Sequence, residues 1–464
     1  MIERLLQKAI PCAAALCALF PSTAQAQSED QTILNIFNQA VFYDGYDSEV
    51  RGADLDDGIL RHTNYVYGRR LEDAELDMLG SSLTLDIIIQ ARCDDFDRIG
   101  NINVAFVPKG AETYAFDEVE RIEVARFITP FMNYNKSPRE VPYSFDSPLL
   151  SMMLRDAELR SRYDFWMEFE VFGIPYDAQN KVVGCRVRSD TFGGTLDFVT
   201  EDNPAGPAEG TVLVPVVMKK TEIFGPVNFN NYREEACDTL GVATKTWAFE
   251  MPESVSDARL VLITSNHGAA RFGEEYIHRR HLAYFDGDIA LDYTPGGVSC
   301  EPYRQYNTMG NGIYSSDLEG DMDFWLNYSN WCPGGPIPVR EIELGPLSAG
   351  KHEFMLRVPD AVFFGESGDF YVSAYVQGVR TGSLPASVGT LAADAGFTFT
   401  REGDTLLFSG AEAAEAAVYT FDGQLVSGHH RPGGSISLAP LPQGLYIVSV
   451  RLADGRASVY KFSK

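Results

Sequence analysis

Six consecutive residues, Cys93-Asp94-Asp95-Phe96-Asp97-Arg98, hold three carboxylates and one guanidinium. Carboxylates crowded together resist losing all their protons, and an adjacent arginine favours the charged form of whichever one it touches. Such a group separates into an acid and a base near neutral pH, as hydrolysis of an unreactive bond requires. The plainer alternative is an acidic turn that helps keep a negatively charged chain soluble.

Strand-like sequence flanks the cluster. The apolar run Leu83–Ile89 precedes it and Asn103–Val107 follows, so it belongs to a loop at a strand end or sheet edge. From residue 81 onward, short runs rich in Val, Ile, Phe and Tyr are broken by Gly, Pro, Asn or Asp, the punctuation of an all-β protein. Tyr163–Val171, Val212–Met218 and His352–Val358 are clear strands, and Asp286-Gly287 suits the tight turn of a hairpin between Leu282 and Leu291. Helical periodicity is confined to Leu149–Leu159. A Pro/Gly-rich stretch at 202–210 and an Ala/Gly/Ser-rich stretch at 382–395 mark boundaries.

The chain has 464 residues, enough for two or three domains. Its formal net charge of −27 argues against nucleic acid or an anionic membrane as main partner, because both need clustered Lys and Arg. Residues 1–26 read as a secretory signal: a basic-leaning start, an apolar core over Ala9–Phe20, and small residues at Ala24 and Ala26. No later run is transmembrane. Export removes Cys12 and Cys17 and leaves Cys93, Cys185, Cys237, Cys300 and Cys332, an odd number with no CxxC spacing, so structural zinc is not expected. Gly52–Gly58 lacks the ligand spacing and closing Glu of a calcium loop and reads as a solvated turn.

Three motifs together, Cys93-Asp-Asp-Phe-Asp97-Arg98, Arg126-Phe-Ile-Thr-Pro130 and Asn330-Trp-Cys-Pro-Gly334, resemble the peptide-N-glycosidase F family over about residues 81–380. The resemblance implies two side-by-side jelly-roll β-sandwiches with the site between them. It implies an amidase that cleaves the Asn–N-acetylglucosamine bond of N-glycoproteins or glycopeptides, leaving Asp. By the family's motifs the principal acid falls at Asp97. The second falls at Glu275, in Gly273-Glu-Glu275-Tyr-Ile-His-Arg-Arg-His281. The third falls at Asp190 in Ser189-Asp190-Thr-Phe192, with Asp164 as its rival. The choice of Asp190 makes residues about 150–180 an insertion. Arg98 would orient a carboxylate or the substrate carbonyl. Phe96, Phe192 and Trp331 would face sugar rings, though for any one of them taken singly a place in the sandwich core is the stronger expectation, and His267 would lie in the cleft region. The chain departs from the family at Phe96 (Trp in the family), at Tyr328 (Arg), and in lacking the cysteines that flank the second acid.

The same resemblance implies a Cys300–Cys332 disulfide; the family's partner for Cys93 is missing here, and the pairing among Cys93, Cys185 and Cys237 stays open, with Cys93–Cys185 as one choice that would leave Cys237 over. No cofactor or metal is expected. A copper oxidase, whose paired jelly rolls are similar, is disfavoured: His278 and His281 would point to opposite faces of a strand, and the sandwiches hold neither a His-His pair nor a His-x-Met. Residues about 390–464 resemble the C-terminal sorting domain of type IX secretion substrates, a small Ig-like β-sandwich, through Val418–Val426 and Leu441–Val448. That implies contact with the type IX machinery and a place outside a Gram-negative cell or on its outer surface. The expected layout is a signal at 1–26, a lead-in at 27–80, a first jelly roll at 81–205, a second at 206–382 and the tail unit, as a monomer. The competing expectation is a glycan-binding jelly-roll protein without catalysis.

Overall fold

A computed structural model of the chain describes residues 31–49, 52, 55–222, 225–229, 237–238, 243–268, 274–310, 328–361, 368–381, 398–402, 405–409, 413–420, 425–430, 435–442, 444–452 and 457–464. The expected signal, Gly273, part of the Gly52–Gly58 loop and the 382–395 boundary lie outside the described residues.

The fold is all-β, built as two jelly-roll sandwiches and a smaller C-terminal one. The first sandwich uses β1 (Gln31–Tyr43), β2 (Ile59–Arg61), β3 (Val66–Arg70), β4 (Thr84–Ala91), β5 (Ile99–Pro108), β6 (Glu120–Ile128), β7 (Glu140–Asp146), β8 (Tyr163–Val171) and β9 (Asp190–Glu201). One sheet runs β1-β9-β4-β7 and the other β6-β5-β8-β3-β2. The lead-in residues are therefore part of the sandwich itself, since they supply β1, β2 and β3.

The second sandwich uses β10 (Thr211–Val217), β11 (Val227–Asn228), β12 (Ala243–Met251), β13 (Val255–His267), β14 (His281–Phe285) and β15 (Asp288–Tyr293). It continues with β16 (Pro336–Ile337), β17 (Arg340–Leu347), β18 (Gly350–Val358) and β19 (Asp369–Arg380). Its sheets run β10-β19-β13-β17 and β12-β18-β14-β15, while β16 crosses over to pair with β6 of the first sandwich. In the tail, β20 (Thr398–Glu402), β21 (Thr405–Ser409) and β24 (Ser435–Ser437) form one sheet. The other consists of β22 (Ala413–Thr420), β23 (Leu425–His430), β25 (Leu445–Leu452) and β26 (Ala457–Ser463). No helix of the described residues is long and apolar enough to cross a membrane.

Alternation builds the outer sheet. On β4, Leu85, Ile87 and Ile89 point into the core, and on β7 so do Val141, Tyr143 and Phe145, with polar residues between them. On β8 the inward residues are Phe165, Met167 and Phe169, yet the intervening Glu168 and Glu170 are also buried. The second sandwich covers that face. Arg121 Nε donates to Glu168 (3.0 Å), Lys219 Nζ to Glu170 (2.7 Å), and Arg126 Nη1 to Ser265 Oγ (2.9 Å) and the Tyr371 carbonyl (3.0 Å). A sheet face that alternates like a solvated one is thus sealed by pairing its charges, since a lone buried charge would be very unfavourable.

Two expectations are corrected. The segment 150–180 is no insertion, because β8 lies between β5 and β3 inside the sheet. The helix expected over Leu149–Leu159 is two, α1 (Pro148–Leu154) and α2 (Ala157–Arg162), because extended Asp156 caps the second by accepting from the Glu158 and Leu159 amides, each at 3.0 Å. The hairpin turn has positive φ at both Asp286 (48°) and Gly287 (90°), as a primed turn demands.

Candidate active site

Where the two sandwiches meet, Asp97, Arg98, Ile99 and Ile128 of the first and His267, Glu275, Trp331, Asp369 and Tyr371 of the second line one cavity of about 200 Å³. Tyr46, Phe172 and Ile174 complete its lining.

The acidic loop between β4 and β5 divides its three carboxylates by task. Asp94 is buried and structural: it accepts from Arg98 Nε (2.7 Å) and Nη2 (3.3 Å), from the Phe96 amide (2.9 Å) and from the Ile174 amide (2.6 Å). Asp95 is buried away from the cavity, its pKa pushed up to about 6 by burial and then by Asp94. Asp97 alone faces the cavity, immediately before β5. A disulfide from Cys93 to Cys185 anchors the start of the loop. Thr129 of the Arg126–Pro130 motif holds its end, accepting at Oγ1 from the Arg98 amide (2.8 Å) and donating to the Phe96 carbonyl (3.1 Å).

Glu275 stands in the connection from β13 to β14. Its backbone carbonyl is clamped by Ser329 Oγ (2.5 Å), Asn330 Nδ2 (2.5 Å) and the Asn330 amide (3.2 Å), which explains the Asn330–Gly334 motif beside it. Its carboxylate accepts from the Gly268 amide at 3.0 Å and bonds Tyr276. The neighbouring Glu274 is spent on Arg279 (2.7 and 3.0 Å). The Cys300–Cys332 disulfide ties the same wall, and buried Cys237 belongs to neither bridge.

Burial first, then the charge of Glu275, pushes the Asp97 pKa up to about 8, against the pull of Arg98. Burial also raises Glu275, against its bonds to Tyr276 and Gly268. The two are coupled, so the charge of one raises the cost of ionising the other. His267 is pushed the other way, to about 3, by burial and the charge of Arg126, so its ring is neutral. It stacks on Trp331 at 5.4 Å and shares a hydrogen bond with Ser265 Oγ (2.9 Å).

Several expected site residues fall elsewhere. Asp190 begins β9 outside the cavity lining, bonded to Arg188 (2.8 Å) and near Arg92 (3.5 Å). Burial works to raise its pKa, but the bond to Arg188 and both arginine charges hold it below the ordinary carboxylate range. Its rival Asp164 lies opposite Val107, eight positions along β5 from Ile99 and so roughly 26 Å from the cavity end at about 3.3 Å per residue. Phe192 is fully buried in the first core, paired across β9 with Phe42 and Ala91. Phe96 packs on Phe131 under the Arg98 guanidinium and does not line the cavity. Trp331 does line it, but nearly buried and fixed by donation to the Asn266 carbonyl (2.9 Å), so it is floor rather than open platform. His278 and His281 are each bonded to backbone carbonyls, of Ser329 and Arg279.

The third carboxylate of the cavity is Asp369, first residue of β19 and cross-strand partner of His267, accepting from Asn228 Nδ2 at 2.6 Å. No motif marks it. Only the end-to-end register of β13 and β19 could have found it. That register also brings Gly268 against Gly368: φ at Gly268 is +105° and an added Cβ would sit 2.8 Å from the Gly368 nitrogen. Gly268→Ala is therefore expected to displace the amide that holds Glu275. Turnover should fall about tenfold or more while the fold is retained by circular dichroism, since a small misplacement of a catalytic group is heavily penalised.

Residues 33–189 match the family profile described as "Peptide-N-glycosidase F, N terminal", and residues 235–377 match "Peptide-N-glycosidase F, C terminal". No curated protein matches the chain. Among solved structures, PNGF-II in space group P21 aligns with TM-score 0.55 at 17% identity, over 76% of this chain and 66% of that one. The chain thus spans just under two thirds of that protein. PNGase F, a glycosylasparaginase from Flavobacterium meningosepticum, aligns with TM-score 0.46 at 16% identity, over 76% of this chain and 96% of that one.

Proposed function

Because the chain belongs to the peptide-N-glycosidase F family, we propose that it is an amidase that hydrolyses the side-chain bond between Asn and the first N-acetylglucosamine of N-linked glycans. The observation that carries this reading is that Asp97 and Glu275, from different sandwiches and far apart in sequence, line one cavity, where burial pushes both carboxyl groups above the ordinary carboxylate range.

An amide resists attack and its amine leaves poorly, so the reaction needs a water made nucleophilic and a proton for the departing nitrogen. Asp97, whose pKa lies near 8, keeps its proton at neutral pH and would give it to the amide nitrogen. Glu275, oriented by Gly268 and Tyr276, would take a proton from water as the oxygen adds to the side-chain carbonyl. The tetrahedral adduct then breaks its C–N bond, leaving Asp on the peptide and a glycosylamine on the sugar. Arg98, bonded to Asp94 and flanking Asp97, would stabilise the carboxylate that Asp97 becomes. Asp190, neutralised by two arginines away from the cavity, has no part in this scheme.

The leader-like residues 1–26 and the small tail sandwich support export, with the tail as the sorting element and glycoproteins met outside the cell as substrates. Incubation with a denatured N-glycoprotein should shift its mobility and convert the glycosylated Asn to Asp by mass. Binding without that conversion would favour a glycan-binding protein instead.

A further inference from the structure

Among the described residues the large aromatic side chains left exposed are Tyr46, Tyr176 and Tyr276; Tyr46 lines the cavity, Tyr176 stacks on Tyr46, and Tyr276 follows the cavity residue Glu275. Tyr276 adjoins Glu275 and bonds it. Tyr46 lines the cavity from the turn after β1. Tyr176 opens the short helix α3 (Tyr176–Lys181). It stacks on Tyr46 with ring centroids 6.4 Å apart and planes 26° from parallel. Tyr46 is 68% exposed and Tyr176 51%. Phe172, nearly buried and also lining the cavity, meets the Tyr46 ring edge-on at 5.4 Å.

A pair of aromatic rings left open to water is unfavourable unless something covers it, and tyrosine suits an occupant that is apolar on one side and hydrated on the other. Asp44 and Asp47 adjoin the pair and bring hydrogen-bond acceptors, with Asp44 accepting from the Tyr46 amide at 3.0 Å. Ring faces beside carboxylate acceptors fit a pyranose, whose C–H face stacks and whose hydroxyls donate. We infer that Tyr46 and Tyr176 form a platform for a sugar ring of the substrate glycan beyond the residue attached to the scissile amide. This rests on the amidase reading for the identity of the glycan, while the platform itself rests on the exposure of both rings, their stacking and the place of Tyr46 in the cavity lining.

The test is calorimetric binding by the full chain carrying Asp97→Asn, which keeps substrates intact. The probes are an N-glycopeptide with an extended glycan and the same peptide trimmed to one N-acetylglucosamine. Tyr176→Ala should weaken binding of the extended form about three- to tenfold, the range of one aromatic contact, and leave the trimmed form unchanged. Tyr176→Phe, which keeps the ring, should restore it. Equal loss for both probes, or no loss for either, overturns the platform. Selective loss in a protein whose parent chain releases no glycan upholds the platform and overturns the amidase reading. Binding of neither probe overturns both.

Discussion

Replacing Asp97 by Asn is expected to lower glycan release at least about a hundredfold, the lower range of general acid catalysis, while the protein becomes more stable at pH 8 than its parent. The two effects have one cause. In the native state the Asp97 pKa is raised to about 8 by burial and by Glu275, well above the unfolded value of about 4. Between those values the folded state holds a proton that the unfolded state has lost, so stability falls as pH rises across this window. Asparagine has no proton to lose, and its variant should show a flatter dependence of melting temperature on pH. Parent activity should decline as pH passes about 8, when the acid that protonates the leaving nitrogen is lost. Rates against pH, and melting temperatures of both proteins from pH 5 to 9, check this. A variant equally destabilised at every pH would mean that Asp97 serves the fold and not the reaction.

How far the sequence could be read depends on whether a residue's role is local. Asp97 and Arg98 are set by contacts inside their own loop, and Glu275 by a clamp from one other motif, so a short pattern carries what positions each of them at the cavity. A motif cannot tell which face of β9 reaches the cavity, and neither Asp190 nor Phe192 lines it; Phe192, paired with Phe42 and Ala91, lies in the core. The choice of Asp190 makes the Tyr163–Val171 strand look like an insertion, when it is a central strand with two buried faces. Asp369 and Tyr46 carry no local signal at all. They reach the cavity only because β19 runs beside β13 and the turn after β1 brings Tyr46 into the lining.

Arg126→Met should be the most damaging substitution outside the cavity. The guanidinium is fully buried and grips Glu123 twice, through Nε and Nη2 at 2.7 Å each, while Nη1 crosses to Ser265 Oγ and the Tyr371 carbonyl of the second sandwich. Methionine fills much of the space but leaves Glu123 buried with the Ser373 hydroxyl and no counter-charge. Breaking one side of such a pair is worth about 3–5 kcal/mol, measurable as a lower midpoint in urea unfolding followed by tryptophan fluorescence. Removing the partner as well, in Arg126→Met with Glu123→Leu, should recover much of the loss, since replacement of a whole buried pair by apolar residues is often neutral. The double-mutant cycle then separates the orphaned charge from the lost reach across the seam. Activity should not recover with stability. Ser265 also bonds His267, and Tyr371 lines the cavity, so without Nη1 the wall opposite Asp97 loses its tie to the first sandwich. A single variant within about 1 kcal/mol of its parent would show that the charges across the seam are incidental to how the two sandwiches hold the cavity together.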